Sequence, residues 1–154
     1  MRATSATGSN RGFTLIELTA VLMLVAIGFA ALSYGLTAQL ENQRVKAAAR
    51  ELVAALRQTR AQAILKGESQ ALELDLRERS YRVPGREPVS LPEGMELRML
   101  TARSEQIDRE RGRIRFYRDG SSTGGNIGLI KGQREWRIEV AWLTGEVVLR
   151  ERER

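Results

Sequence analysis

The sequence has 154 residues and a formal net charge of +6, from 25 basic and 19 acidic side chains. It contains no cysteine and no histidine, which excludes disulfide bonds and zinc sites built from those ligands and leaves any nucleophile dependent on a lysine or carboxylate partner. The length suits one soluble domain with a small core, and the interspersed acidic residues favour a solvated surface over a nucleic-acid footprint.

An apolar segment lies near the N terminus. Residues 18–36 include no charged residue and no proline, and at 1.5 Å per residue a helix of this length is about 28 Å long, close to the hydrocarbon thickness of a bilayer. A secretory signal peptide is the alternative, but its small-residue cleavage site follows the apolar run, whereas Ala3, Ala6 and Gly8 precede it here. We therefore expect a retained transmembrane segment, whose orientation the flanking basic residues do not decide.

One acidic side chain, Glu17, lies at the head of this apolar segment. An acidic group inside an apolar helix costs on the order of 2–3 kcal/mol, and less near the membrane interface. Either Glu17 reaches headgroups and water, or a cation of a neighbouring chain compensates its charge.

The run from Gly12 to Leu18, Gly-Phe-Thr-Leu-Ile-Glu-Leu, resembles the N-terminal signature of type IV pilins and type II secretion pseudopilins. The resemblance implies that a prepilin peptidase cuts between Gly12 and Phe13 and methylates the new amine of Phe13. It also implies a leader peptide over residues 1–12, a single-pass location in the bacterial inner membrane and a periplasmic C-terminal domain. The Phe13 ammonium could then neutralise Glu17 of a neighbour, where low dielectric strengthens the pairing.

An amphipathic helical pattern follows the apolar run. Apolar residues recur there at spacings of three and four, at Val45, Ala49, Leu52, Leu56, Ala63 and Ile64. Gly67 is a candidate C-terminal cap. We expect one long N-terminal helix, with a transmembrane segment over residues 13–36 and an amphipathic half over residues 37–67 whose apolar face is covered by a sheet.

Residues 68–154 carry strand and turn patterns and are expected to form a β-rich periplasmic domain. A hairpin is predicted around Arg77 to Arg79, and further strands are predicted near residues 95–100, 113–117, 127–130, 136–142 and 147–149. Alternation places Trp136 and Trp142 on one buried strand face. Residues 101–112 are expected to form a mobile loop and residues 150–154 to fray. The predicted fold class is α+β, with antiparallel sheet packed on the helix.

Two later segments, residues 116–127 and 142–147, resemble the C-terminal signature of pseudopilin H of type II secretion and of the related FimT-type minor pilins. A glycine-rich family loop motif lies in the first segment and comprises Asp119, Gly120, Ser121, Ser122, Thr123, Gly124 and Gly125. The lysine of a phosphate-binding loop is missing and a strand-like segment follows, so nucleotide binding is not favoured. Its glycines are expected to supply positive backbone angles in a tight connection.

Together the resemblances imply a type IV pilin-like fold and the role of a minor pseudopilin. Such a protein is a structural subunit of the periplasmic pseudopilus, expected here in its tip complex, that helps export folded proteins across the outer membrane. The implied partners are pseudopilins of the I, J and K types and the major G type, the prepilin peptidase, the inner-membrane assembly platform and membrane lipid.

No catalytic constellation or cofactor site is indicated, and the spacing of Asp75, Asp108 and Asp119 matches no calcium-binding loop. The alternative function is that of a FimT-like minor type IV pilin involved in pilus assembly or DNA uptake, with basic C-terminal residues contacting phosphates. The interleaved Glu151 and Glu153 argue against this alternative, so nucleic acid is not an expected partner.

Overall fold

The computed structural model describes residues 14–153, with the side chains described over residues 14–30 and 41–153. The chain divides into two compact units, Met1–Gln39 and Leu40–Arg154. Helix α1, Leu15–Lys66, begins in the first unit and ends in the second.

The apolar side chains at the start of α1 are exposed, as illustrated by Leu15 at 80% and Phe29 at 69%. Over the part of the chain that the structure describes, no helix is both long and apolar enough to cross a membrane. The transmembrane segment over residues 13–36 stays a prediction, because residue 13 and the side chains of residues 31–36 lie outside the described ones.

The second unit contains eight strands in two antiparallel four-stranded sheets. The first sheet has the order β3-β2-β1-β5 and the second the order β4-β6-β7-β8. The strands are β1 Gln70–Asp75, β2 Ser80–Arg82, β3 Val89–Ser90, β4 Glu96–Thr101, β5 Arg111–Phe116, β6 Gly125–Lys131, β7 Arg134–Val140 and β8 Val147–Glu153. The predicted α+β class is confirmed.

Local sequence rules explain the first hairpin. Asp75 ends β1, and its Oδ1 accepts hydrogen bonds from the backbone N–H groups of Arg77 and Glu78 at 2.9 and 2.8 Å. An aspartate that bonds the backbone two and three positions further on favours a turn over continued strand. Strand β2 then pairs back on β1, with Leu74 opposite Tyr81. The hairpin predicted around Arg77 to Arg79 is present.

One hydrophobic core joins the helix to both sheets. Its helical contribution is the predicted apolar face, of which Val45, Ala49, Leu52, Leu56 and Ala63 are all at most 1% exposed. The largest sheet contributions are Phe116 from the first sheet and Trp136 from the second. Ile64 departs from the prediction, since 46% of it is exposed beyond the end of the buried face.

Three predictions for the β-rich domain were wrong. Trp142 is 69% exposed because β7 ends at Val140 and the chain has turned before Trp142 can follow the alternation. Residues 150–153 do not fray, since β8 pairs with β7 as far as Glu153. Within the loop of residues 101–112, a short 3-10 helix, Arg103–Glu105, buries the side chain of Glu105.

Two leucines of α1 test the assignment of the core face. Leu56→Ala should lower the free energy of unfolding by about 2–5 kcal/mol, because this side chain is fully buried and its loss leaves a cavity. Leu65→Ala, at a position 84% exposed, should change it by less than about 0.5 kcal/mol. Urea denaturation measures both, and similar losses for the two variants would contradict the assignment.

Candidate assembly site and family loop

The predicted cleavage pair, Gly12 and Phe13, lies outside the described residues, which begin at Thr14. Glu17 is described and lies in the first turn of α1. Its side chain is exposed, and no ion pair involves it within the described residues. The structure therefore places Glu17 where a second chain could reach it, while the processing of Gly12 and Phe13 stays a prediction.

Thr14 caps the start of α1. Its Oγ1 accepts a hydrogen bond from the backbone N–H of Glu17 at 3.3 Å, and its carbonyl oxygen accepts one from the same group at 3.1 Å. A threonine followed three residues later by a glutamate is the sequence pattern of a capping box. The first turn also favours an anionic side chain because it carries the positive end of the helix dipole. Glu17 is thus favoured at this position for a local reason as well.

Asp119 organises the turn that opens the family loop. Its Oδ1 accepts hydrogen bonds from the Ser121 hydroxyl at 2.6 Å and the Ser121 backbone N–H at 3.0 Å. These bonds favour the ionised carboxylate, so they lower the pKa of Asp119, the bond from the hydroxyl foremost. The same turn is closed by two backbone hydrogen bonds of 2.9 Å. The Tyr117 N–H donates to the Ser121 carbonyl oxygen, and the Gly120 N–H donates to the Tyr117 carbonyl oxygen.

The middle of the family loop is fastened to β5 and to the chain beyond β7. The buried Ser122 donates its hydroxyl to the Arg115 carbonyl at 2.8 Å and accepts the Gly124 N–H at 3.1 Å. Thr123 exchanges two bonds with the Arg115 backbone, at 3.0 and 3.1 Å. The Ser122 N–H donates to the Trp142 carbonyl at 2.8 Å. The loop is therefore bound to both sheets through backbone groups and the hydroxyls of Ser122 and Thr123.

The two segments that carry the second resemblance meet at Gly120 and Gly145. A Cβ added to Gly145 would run into the Gly120 carbonyl oxygen, so only glycine permits this approach. The same oxygen accepts a hydrogen bond from the Arg60 Nε of α1 at 2.9 Å. Gly120 and Gly145 have φ angles of 84° and 63°, in the left-handed region that favours glycine. We call this contact among Arg60, Gly120 and Gly145 the glycine junction.

The expected backbone role of the motif glycines agrees with the structure. Gly120, Gly124 and Gly125 all have positive φ angles, and β6 begins at Gly125. The sequence-based prediction assigned no role to Arg60. No local signal connects it to a loop sixty positions further along the chain.

A partly buried ion pair supports the family loop from the side. The Glu105 carboxylate, with only 7% of its side chain exposed, accepts bonds from the Arg115 Nε at 2.8 Å and Nη2 at 3.2 Å. Arg113 Nε lies 3.4 Å from the same carboxylate. The hydrogen bond from Arg115 to Glu105 raises the pKa of Arg115. The Arg115 backbone is hydrogen-bonded to Ser122 and Thr123 of the loop. The contact of Glu105 with the Arg115 side chain therefore stabilises the part of β5 that contacts the loop.

The aspartates considered for calcium are engaged in their own turns. Asp75 bonds the two N–H groups described above, and Asp119 bonds Ser121. Asp108 accepts two backbone N–H groups and the Arg111 side chain at 2.7 Å, and its pKa is lowered, the N–H of Glu110 being the largest cause. Within the described residues, no group of three acidic side chains is placed to hold a metal ion.

Comparison with known protein families gives two matches. The family described as Type II transport protein GspH matches residues 48–144. The prokaryotic N-terminal methylation motif matches residues 8–33. The chain is also similar to Type II secretion system protein H of Xanthomonas campestris pv. campestris, with 37% identity over 137 residues, which cover 89% of this chain and 81% of that protein.

Solved structures share the fold. The minor pseudopilin EpsH from the Type 2 Secretion System of Vibrio cholerae aligns with a TM-score of 0.55 and 18% identity, over 70% of this chain and 96% of that one. The type IV minor pilin FimU of Pseudomonas aeruginosa aligns with a TM-score of 0.52 and 12% identity, over 71% of this chain and 90% of that one. At these identities the likeness concerns the fold, which is that of a pilin.

Two glycines test the glycine junction, because both have positive φ but only one is crowded. Gly132→Ala, with φ 57° and open space around a new Cβ, should lower the free energy of unfolding by about 1–2 kcal/mol through backbone strain alone. Gly145→Ala adds the clash with Gly120 and should cost roughly 2 kcal/mol more. Denaturant unfolding measures both variants, and equal losses would mean that the contact tolerates a side chain.

Proposed function

The chain belongs to the family of Type II transport protein GspH, and from this membership we propose that it is a minor pseudopilin of the type II secretion system. Its role is that of a structural subunit that assembles with other pseudopilins. The observation that carries the proposal is the match to two family models at once, one over the methylation motif and one over most of the β-rich domain. A pilin fold supports it.

The finer parts of the role are proposed from the same membership. The subunit occupies the tip complex of a periplasmic pseudopilus, with pseudopilins of the I, J and K types above the major G type. It is anchored in the inner membrane, contacts lipid and the assembly platform there, and helps folded proteins cross the outer membrane. It acts by assembly and not by catalysis.

We propose that maturation occurs at the N-terminal motif. The prepilin peptidase removes residues 1–12 by cutting after Gly12, and the new amine of Phe13 is methylated. This proposal is supported by the methylation motif matched over residues 8–33. Cleavage converts a peptide nitrogen into a fixed cation, which gives each subunit one base and one acid near the same end of the chain.

The exposed Glu17 is the proposed acceptor of that cation. Its backbone N–H donates to the Thr14 cap of α1, while its side chain has no ion-pair partner among the described residues. A carboxylate in an apolar environment gains most from a partner of opposite charge, since the pairing is stronger where water is excluded. Pairing with the Phe13 ammonium of a neighbour would fix the axial step between subunits.

The DNA-uptake alternative is not favoured by the charges of the C-terminal strand. Arg150 pairs with Glu139 at 2.9 Å, and Lys46 pairs with Glu151 at 2.8 Å. Basic side chains that are already paired with adjacent carboxylates attract phosphate weakly, because the protein itself supplies the counterion. The fold likeness to a type IV minor pilin does not distinguish the two functions.

Mass spectrometry of the membrane form tests the maturation. When the chain is produced with a prepilin peptidase, we expect the intact mass of a chain that begins at methylated Phe13. Gly12→Ala should leave residues 1–12 attached, because we propose that the peptidase accepts only a residue without a side chain before the cut. A mature form that begins at Met1, or downstream of residue 36, would contradict the proposal.

Replacement of Glu17 by glutamine tests the pairing. Glu17→Gln keeps a residue that suits a capping box but removes the charge, so membrane insertion should persist while incorporation into pseudopili falls about tenfold or more, which corresponds to at least about 1.4 kcal/mol. Glu51→Gln in the same helix is the matched control. Co-purification with the major pseudopilin after shearing measures incorporation, and normal incorporation of the Glu17 variant would exclude the pairing.

A further inference from the structure

Strand β8 ends the second sheet, with β7 as its one strand neighbour in the described structure. An edge strand of this kind presents backbone N–H and C=O groups that can pair with another chain. Natural edges are commonly protected by a covering element, a bulge, a proline or charged side chains, and of these β8 carries charged side chains. Beyond Val147, β8 has no proline, and its residues from Arg150 to Glu153 are exposed.

One hydrogen bond identifies the residues whose backbone faces outward. Arg57 Nη2 donates to the Val147 carbonyl oxygen at 2.9 Å, so this carbonyl points away from β7. Outward and inward residues alternate along an antiparallel strand. The outward backbone groups of β8 therefore belong to Leu149, Glu151 and Glu153, whereas those of the residues between them pair with β7. Arg57 covers only the first outward carbonyl.

A cleft of about 780 Å³ runs beside this edge. It is lined by Arg57 and Arg60 of α1 and by residues from Thr144 to Leu149. One wall is the start of the open strand and includes the acidic residue Glu146, and the other carries two guanidinium groups. Arg57 donates one N–H to the Val147 carbonyl oxygen, and Arg60 donates one N–H to the Gly120 carbonyl oxygen. Since an arginine has five N–H donors, both retain donors for an acidic ligand.

Charge along the strand also favours an acidic partner. Glu151 is already paired with Lys46, whose hydrogen bond lowers the pKa of Glu151. Arg152, in contrast, has no ion pair within residues 14–153. The charge of Glu151 is thus paired within the protein, and Arg152 lies opposite Glu135 of β7, so the positive charge beside the edge comes from Arg57 and Arg60.

We propose that the edge of β8 binds an extended acidic segment of a partner chain, which adds a fifth strand to the second sheet. Main-chain hydrogen bonds to Leu149, Glu151 and Glu153 hold the segment, and carboxylates on it meet the guanidinium groups of Arg57 and Arg60. The proposal goes beyond the assembly role and does not rest on it.

A second copy of this chain fits the edge poorly. When two identical strands pair antiparallel about a two-fold axis normal to the sheet, opposite residues must lie on the same face and so differ by an even number of positions. An axis at Glu151 places Arg150 opposite Arg152 and Glu151 opposite itself, and an axis at Arg152 places Glu151 opposite Glu153 and Arg152 opposite itself. Like charges directly opposite are destabilising. The alternating charges of β8 therefore disfavour self-pairing.

The test uses the full chain in dodecylmaltoside micelles and two blocked peptides of about seven residues, one alternating glutamate with valine and the other lysine with valine. Amide hydrogen exchange is read at single residues. We expect the glutamate peptide to slow exchange at Leu149 and Glu151 about tenfold or more, and to change Val148 and Arg150 little because their N–H groups already pair with β7. The lysine peptide should have no such effect.

The variant Arg57→Gln should weaken the effect of the glutamate peptide at least about threefold in apparent affinity, since it removes one guanidinium from the cleft. Arg86→Gln, an exposed arginine in the first sheet's β2–β3 connection, is the matched control and should bind normally. Unchanged exchange in β7 shows that the Arg57 variant is folded.

Three results would overturn the proposal. The first is no slowing at Leu149 and Glu151 with saturating glutamate peptide. The second is equal slowing with the lysine peptide, which would show that charge plays no part. The third is slowing without peptide that increases with protein concentration, which would identify a second copy as the occupant.

Discussion

The carbonyl oxygen of Gly120 is the point on which the arrangement of the second unit depends. It accepts the Arg60 hydrogen bond from α1 and lies against Gly145, in the turn between β7 and β8. The Gly120 segment follows β5 of the first sheet and leads into β6 of the second. One backbone atom thus brings together the helix and both sheets, and its surroundings require two glycines.

The core follows from the same arrangement. Each sheet alone has a single apolar face to bury, and the helix has one apolar stripe. The stripe from Val45 to Ala63 covers both faces at once, so Phe116 of the first sheet and Trp136 of the second belong to one hydrophobic cluster. The family loop connects β5 of the first sheet to β6 of the second. The Glu105–Arg115 ion pair holds β5 in place beside this loop. The family match begins within this stripe and ends at the β7–β8 turn, so it covers the elements that the glycine junction connects.

Local rules were sufficient for much of this fold. The apolar spacing of α1 predicted five of its buried positions, and alternation predicted β1, β5 and β7, because a side chain's face is set by the period of its own element. Predictions failed where contacts with an element distant in sequence determine the position of a residue. Trp142 continues the alternation of β7 in sequence, yet the turn that ends at Gly145 takes it out of the strand. The last residues are charged and near a terminus, yet the Lys46–Glu151 and Arg150–Glu139 pairs accompany their pairing with β7. Arg60 and Glu105 act on the family loop across long sequence separations that no periodicity reveals.

The N-terminal site is different, since Gly12, Phe13 and Glu17 were assigned by resemblance and their roles are proposals.

The central claim is that the glycine junction and the shared helical stripe make the two sheets one cooperative unit. Native-state hydrogen exchange in low denaturant tests it directly, through the opening free energies of amides in β1, at Leu72, and in β7, at Ile138. The account predicts values that agree within about 1 kcal/mol and fall together as denaturant is added, because neither sheet can open without exposing the core of the other. If β1 opened several kcal/mol below β7, or the reverse, the sheets would be separate folding units and the claim would be contradicted.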